Sequence, residues 1–297
     1  MQFDSYCVDC LVRRQMGLIQ SQPSGEQKLA YIKEAMQAMI DAPNTVGAPY
    51  MVWQFDQIFA KYWEPVDHYS EEKKNSNDFM LARLPKIRQQ IRESCDPVFT
   101  ALQFAQTANY IDFGALSHSV TEETLDELLL DAVNKPMDTA TYKKFTKDLE
   151  TAKKLVYLGD NAGEIVADMA FIETMQQAHP QVDITYVVRG GAVINDVTHE
   201  DATAVGMDKV ATVMGNGMPI PGTEPTMISQ ELRDALDAAD MVIAKGQGNF
   251  ETFCPSPYNT YYVFLCKCDR FLKMFDVPPL TGMFCNESSL PKFEPLC

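Results

Sequence analysis

Apolar positions recur at helical spacing through the first 150 residues, then gather into short unbroken runs separated by polar stretches. Cys7 to Ile19 forms the first helical segment. Gly25 to Ile40 predicts a second, with Leu29, Ile32, Met36, Met39 and Ile40 on the buried stripe, and Asp41-Ala42-Pro43-Asn44 ends it. Val52 to Tyr62 predicts a third, carrying the aromatic stripe Trp53, Phe55, Phe59, Tyr62 and Trp63. A longer helix starts near Ser70, runs through Leu84, Ile87 and Ile91, and breaks around Asp96-Pro97. Thr121-Glu122-Glu123-Thr124 opens another, and Asp138 to Glu150 is the last.

Beyond residue 150 the apolar runs are Lys154–Leu158, Asp183–Val188, Lys209–Val213, Met241–Ala244 and Tyr261–Leu265. Helical patterns at Glu164–Ala178 and Ser229–Ala238 lie between them. Continuous β-branched strands alternating with helices predict a parallel sheet in a doubly wound α/β unit. The expected organisation is an all-helical region over residues 1–150 packed closely on an α/β region over 151–297, with no flexible linker and no repeat.

Composition changes the picture in one respect. The chain has 297 residues, with 41 acidic against 25 basic side chains and a formal net charge of −16. Such a surface argues against nucleic acid as a partner and against docking to anionic lipid. No stretch approaches the roughly 18 apolar residues of a membrane span. Met1 to Ser5 lacks the basic-then-apolar opening of a signal peptide, so the expected location is the cytoplasm. Eight cysteines are too sparse for a disulfide scaffold and read as reduced thiols.

Ligands of open parallel sheets sit beyond the carboxyl ends of the strands. There the sequence places Gly159-Asp160-Asn161-Ala162-Gly163-Glu164, Arg189-Gly190-Gly191 with Asn195-Asp196 following, Gly215-Asn216-Gly217, Lys245-Gly246-Gln247-Gly248-Asn249, and Cys266-Lys267-Cys268. Asp160, Asn161 and Asp196 are hard oxygen donors suited to a divalent ion such as Mg²⁺ or Mn²⁺. Lys245 and Lys267, with bare amides near Gly215 and Gly246, have the chemistry to clamp a phosphoryl group. Each element also has a structural reading: Asp-Asn as an N-cap or Asx-turn, Asn195-Asp196 as a turn, Lys267 as an edge residue. Their coincidence on one sheet edge favours a metal–phosphate site. Glu164 either orients a water or caps the helix, and Arg189 either reaches substrate or pairs with a site carboxylate. Gly159 and Gly163 do not make a dinucleotide fingerprint, and Asp160 would repel a pyrophosphate.

The segments 159–164, 189–198 and 244–251, together with Cys7-x-x-Cys10 and Lys267-Cys268, resemble the DUF89 family of damage-control phosphatases, in its microbial branch. The resemblance runs over essentially the whole chain. It implies an all-helical N-terminal region on a Rossmann-like, doubly wound, mostly parallel C-terminal domain, and a divalent-metal-dependent phosphatase (Mg²⁺, Mn²⁺, Co²⁺ or Ni²⁺) acting on small phosphomonoesters such as sugar phosphates or damaged phosphometabolites. Metal ligation carries over to Asp160, Asn161 and Asp196, the strand-end loop to Lys245 through Asn249, and a phosphate contact to Lys267. The attacking group is then water, with Asp160 as a covalent nucleophile the alternative. Two other readings compete: a nucleotide- or S-adenosylmethionine-dependent transferase on the same sheet, and a zinc or thiol-redox module made by Cys7, Cys10, Cys266 and Cys268. Small packing thiols are the plain alternative to that last cluster. His68, His118 and His179 need no chemical role, His199, three residues past Asp196, lies near the site and reads as structural, and the helical half is expected to select the substrate.

Overall fold

The computed structural model describes residues 1–64, 69–111 and 122–291. Seven helices precede the first strand among the described residues: α1 (Ser5–Leu18), α2 (Gly25–Asp41), α3 (Ala48–Phe59), α4 (Ser70–Glu93), α5 (Pro97–Thr107), α6 (Glu122–Leu130) and α7 (Thr139–Thr151). Local chemistry sets their starts. Asp4, Ser24, Asp96 and Asp138 accept first-turn N–H groups of α1, α2, α5 and α7, satisfying donors that have no partner inside the helix. Pro97 ends the run begun at Ser70 and opens α5, which the sequence pattern did not separate as a helix of its own. Thr121, His68 and His118 lie outside the described residues.

The sheet holds β1 (Lys154–Leu158), β2 (Asp183–Val188), β3 (Thr212–Gly215), β4 (Met241–Lys245), β5 (Thr260–Leu265) and β6 (Gly282–Asn286), in the order β3-β2-β1-β4-β5-β6. The first five strands run parallel and β6 pairs antiparallel with β5. Helices α8 (Glu164–Ala178), α9 (His199–Val205), α10 (Gln230–Asp237), α11 (Gly246–Phe253) and α12 (Asp269–Phe275) connect and cover them.

Strand side chains alternate between two cores, as the pleat requires. Leu155, Tyr157, Met241, Ile243, Tyr261 and Val263 join one core with α4, α5, α7 and α8. Val156, Leu158, Val242, Ala244, Tyr262 and Phe264 join the other with α10, α11 and α12. The helices before residue 150 are thus divided: α4, α5 and α7 share the sheet's core, while α1 to α3 build a separate cluster around Tyr31, Met51 and Phe55. Helix α2 corrects part of the expected stripe. It buries Tyr31 and Ala35, and leaves Leu29, Met36 and Ile40 exposed. None of the helices among the described residues is long and apolar enough to cross a membrane.

Candidate active site

The strand order turns back between β1 and β4, and that reversal opens a crevice at their carboxyl ends. The β1–α8 loop and the segment after β2 are laced together across it. Asn161 and Asp196 form an antiparallel bridge, Ala162 N–H donates to the Asn195 carbonyl at 3.0 Å, and Val197 N–H donates to the Asp160 carbonyl at 2.8 Å. Backbone pairing therefore brings Asp160, Asn161 and Asp196 together across 36 residues of sequence, counted from Asp160 to Asp196.

Arg189 lies between the carboxylates. Its Nε donates to Asp196 at 2.6 Å, Nη2 to Asp160 at 3.1 Å and Nη1 to Asn249 at 3.2 Å, with 2% of the residue exposed. Of the two roles the sequence left open for Arg189, the observed contacts are those of carboxylate pairing. Asn249 in turn donates to the carbonyls of Gly159 at 2.9 Å and Lys245 at 2.6 Å, tying α11 to the β1 loop.

Lys245 follows strand parity. It shares a face with Met241 and Ile243, so its side chain turns toward α8 and not into the crevice. Its ammonium donates to Glu164 at 3.0 Å and Asp168 at 2.9 Å, and all three side chains are fully buried. Burial alone would lower the Lys245 pKa, but Asp168 and Glu164 outweigh it and hold the pKa above the usual lysine value. The expected phosphate clamp at Lys245 is instead an internal counter-ion in this arrangement. Glu164 is not a helix cap either: Gly163 holds the cap position without a side-chain bond, and its N–H donates to Asn77 of α4 at 2.6 Å. The Glu164 carboxylate receives Asn161 at 2.7 Å and Asn109 of the helical half.

Asn109 and Asp168 were not among the expected site residues. Asn109 is completely buried, bonds Glu164 and Asp160 through Nδ2, and accepts the Leu265 N–H at 3.2 Å. Asp168 also receives the hydroxyls of Tyr157 at 2.6 Å and Tyr186 at 3.0 Å.

Gly246 has a steric reason. Its φ is +78°, and a Cβ there would sit 1.8 Å from Asp160 Oδ2. Gly246→Ala should displace the Asp160 carboxylate and reduce activity by at least ~10-fold, measured as kcat/KM beside a circular-dichroism check of folding. Gly215 ends β3 at the sheet's far side, and the following Asn216 accepts the Gly190 and Met218 N–H groups at 2.8 and 3.0 Å. Asn195 is buried, next to Ile194, whose φ of +45° is strained for a β-branched residue. Lys267 is half-buried beyond β5, its N–H donating to Gln247 at 3.1 Å.

The four thiols of the proposed cluster do not converge. Cys7 lies near Cys268 and receives Arg270 Nη1 at 3.7 Å, whereas Cys266 packs inside the second core with Cys254. Cys10 is exposed. Among the described residues no group of three or more His, Cys, Asp or Glu side chains is placed to hold a metal. Burial pushes the Cys7 thiol up to about 11, and Cys266 and Cys268 to about 12. These thiols stay protonated at neutral pH. Mass-spectrometric mapping of iodoacetamide adducts at about pH 7.5 should therefore find exposed Cys95 modified well before Cys7, Cys254 or Cys266.

A six-stranded, mostly parallel sheet with an acidic, strand-end polar site defines an α/β protein built around a buried carboxylate–amide cluster. The family profile of the damage-control phosphatase ARMT1-like domain matches residues 3–279, and the chain belongs to that family. It is 28% identical over 272 residues to an uncharacterized protein of Methanocaldococcus jannaschii, covering 88% of each chain. A damage-control phosphatase of Archaeoglobus fulgidus is 33% identical over 62% of this chain and 63% of its own length. Another from Pyrococcus horikoshii is 30% identical over 60% of this chain and 61% of its own. The fold is shared with the crystal structure of a DUF89 family protein from Pyrococcus horikoshii, at a TM-score of 0.79 and 22% identity, over 97% of this chain and 99% of that one.

Proposed function

We propose that this chain is a divalent-metal-dependent phosphatase that hydrolyses small phosphomonoesters, sugar phosphates or damaged phosphometabolites, with Asp160, Asn161 and Asp196 holding the ion. The observation that carries the reading is the backbone ladder that sets these three oxygen-bearing side chains together at the reversal point of the sheet. The donor set suits a hard cation. With both Asn161 N–H bonds given to Asp160 and Glu164, its Oδ1 accepts no hydrogen bond from the described residues. Among the described residues the buried cluster sets four carboxylates (Asp160, Glu164, Asp168, Asp196) against two cations (Arg189, Lys245), an acidic excess that a divalent ion offsets. Magnesium-type sites are commonly made by one or two carboxylates with water and substrate phosphate, so three acidic ligands are not required.

A bound ion supplies Lewis acidity at the phosphoryl group. The protein's own residues do the rest. Arg189 fixes the two aspartates against their mutual repulsion. Glu164, held by Asn109 and Lys245, aims the Asn161 carboxamide. Lys267 and the N–H groups at the start of α11 face developing negative charge on the phosphoryl oxygens, and water attacks in line. Purified protein should release phosphate from a panel of sugar phosphates with Mg²⁺, Mn²⁺, Co²⁺ or Ni²⁺, lose the activity to a chelator, and regain it with metal. Release unaffected by chelation, or none with any of the four metals, contradicts the reading.

A further inference from the structure

A cleft of about 640 Å³ runs from the site between the first turns of α4 and the segment from Arg189 to α9. Its inner wall borders the site. Arg189 lines it while contacting Asp160 and Asp196, and Asn77 lines it while holding the Gly163 N–H. For a substrate whose phosphoryl group meets Asp160, Asn161 and Asp196, this is the neighbouring space for its non-reacting body.

The charges on the wall are matched in pairs. Lys73 meets Asp201 at 2.5 Å, with only 9% and 14% of the two side chains exposed. Lys74 meets Asp78 at 2.7 Å, and Arg189 is taken by the site aspartates. Asp201 is held further by the N–H and hydroxyl of Thr198, at 2.8 and 2.7 Å, in the capping box of α9. Exposed Glu200 adds one more carboxylate at the rim. Among the described lining residues Lys73, Lys74 and Arg189 thus each already have a counter-charge, and the Arg189 side chain is fully buried.

Resting on the phosphatase reading, we infer that this charge matching is a specificity device: the cleft admits an uncharged, hydroxyl-bearing body and rejects a second anionic group. A second phosphate entering the cleft would gain no uncommitted cation among these residues, and it would have to pull Lys73 from Asp201 in a largely desolvated place. Hydroxyl groups face no such conflict, since the carboxylates of Asp201 and Glu200 accept hydrogen bonds from them without losing charge balance. Lys73, Glu200 and Asp201 are the specificity-determining residues.

The test compares a hexose 6-phosphate with the corresponding hexose 1,6-bisphosphate, by initial phosphate release and by thermal shift of the Mn²⁺-loaded protein. Wild type should favour the monophosphate at least ~10-fold in kcat/KM, and be stabilised more by it. Glu200→Lys, which adds an unmatched cation at an exposed position, should narrow that preference at least ~5-fold, chiefly through a lower KM for the bisphosphate. Asp201→Asn, which frees Lys73 and keeps a capping oxygen, should act in the same direction. A wild-type preference for the bisphosphate, or a preference unchanged in both variants, overturns the inference and leaves the phosphatase reading intact. If wild type releases phosphate from neither compound and neither shifts its melting, both fall. Stabilisation by the monophosphate alone, without release, supports the cleft's selectivity and counts against turnover.

Discussion

Asp160→Ala is expected to lower kcat/KM for phosphate release by about 10³-fold or more, equivalent to about 4 kcal/mol of transition-state stabilisation. Asp160 is a proposed ion ligand, one of the two carboxylates that Arg189 bridges, and the group packed directly on Gly246. Asp160→Asn separates these functions. It keeps the shape and a hydrogen-bond acceptor for Arg189 but removes the charge, so activity should fall nearly as far while the melting temperature stays closer to wild type. Activity of Asp160→Asn within ~10-fold of wild type would show that the charge at this position is not needed for the chemistry.

The largest stability effect is expected at Lys245. Lys245→Met keeps much of the side-chain volume but strands Glu164 and Asp168, both fully buried, without their cation. Removing one member of a buried ion pair costs about 3–5 kcal/mol, which for a chain of this size is on the order of 10 °C in melting temperature. The folded-state pKa of Lys245 is raised. Its contribution is therefore fully present below the ordinary lysine value and is lost only as pH rises through the raised one. Without the cation the stranded carboxylates must take up protons on folding, so the deficit of the variant should grow as pH rises above the ordinary carboxylate range, measured by thermal unfolding. A deficit under ~1 kcal/mol would mean that the triad is not the buried ion cluster described above.

Much of the sheet was legible because buried parallel strands announce themselves as apolar runs. β1 and β2 fall where the pattern placed them, and β4 and β5 differ by one residue at an end. β3 shifts from the expected 209–213 to Thr212–Gly215, because Met207–Lys209 is drawn into a 3₁₀ turn after left-handed Gly206. As the sheet's other edge, half-buried β3 gives a weaker apolar signal. β6 left no such trace. Its sequence, Gly282 to Asn286, lacks β-branched residues, and its antiparallel pairing is supplied by β5. Two glycines made α11 read as a loop, yet tertiary packing forms the helix directly from Lys245.

The site divided along the same line. Local motifs pointed to Asp160, Asn161 and Asp196, because strand-end loops carry their residues in recognisable words. Lys245 was identified but aimed wrongly: the parity of β4, readable from Met241 and Ile243, turns it toward α8. Asp168 sits in a helix buried on nearly all sides, so sequence alone suggests an outward polar position. Asn109 comes from the turn after α5, 55 residues before Glu164, and nothing local marks it. Proximity of Cys7 to Cys268 came from packing of α1 near α12, whereas Cys266 is two residues from Cys268 and belongs to another core.

An acidic chain of net charge −16 attracts a phosphate dianion only where its sign is locally inverted. That inversion is the work of one proposed ion on Asp160, Asn161 and Asp196. Titration of Mn²⁺ into metal-stripped protein, followed by the loss of the free-ion electron paramagnetic resonance signal, tests it without any turnover. Wild type should take up one tightly held ion per chain, and Asp160→Ala and Asp196→Ala should each lose it. Equal Mn²⁺ uptake by wild type and both variants would contradict the account.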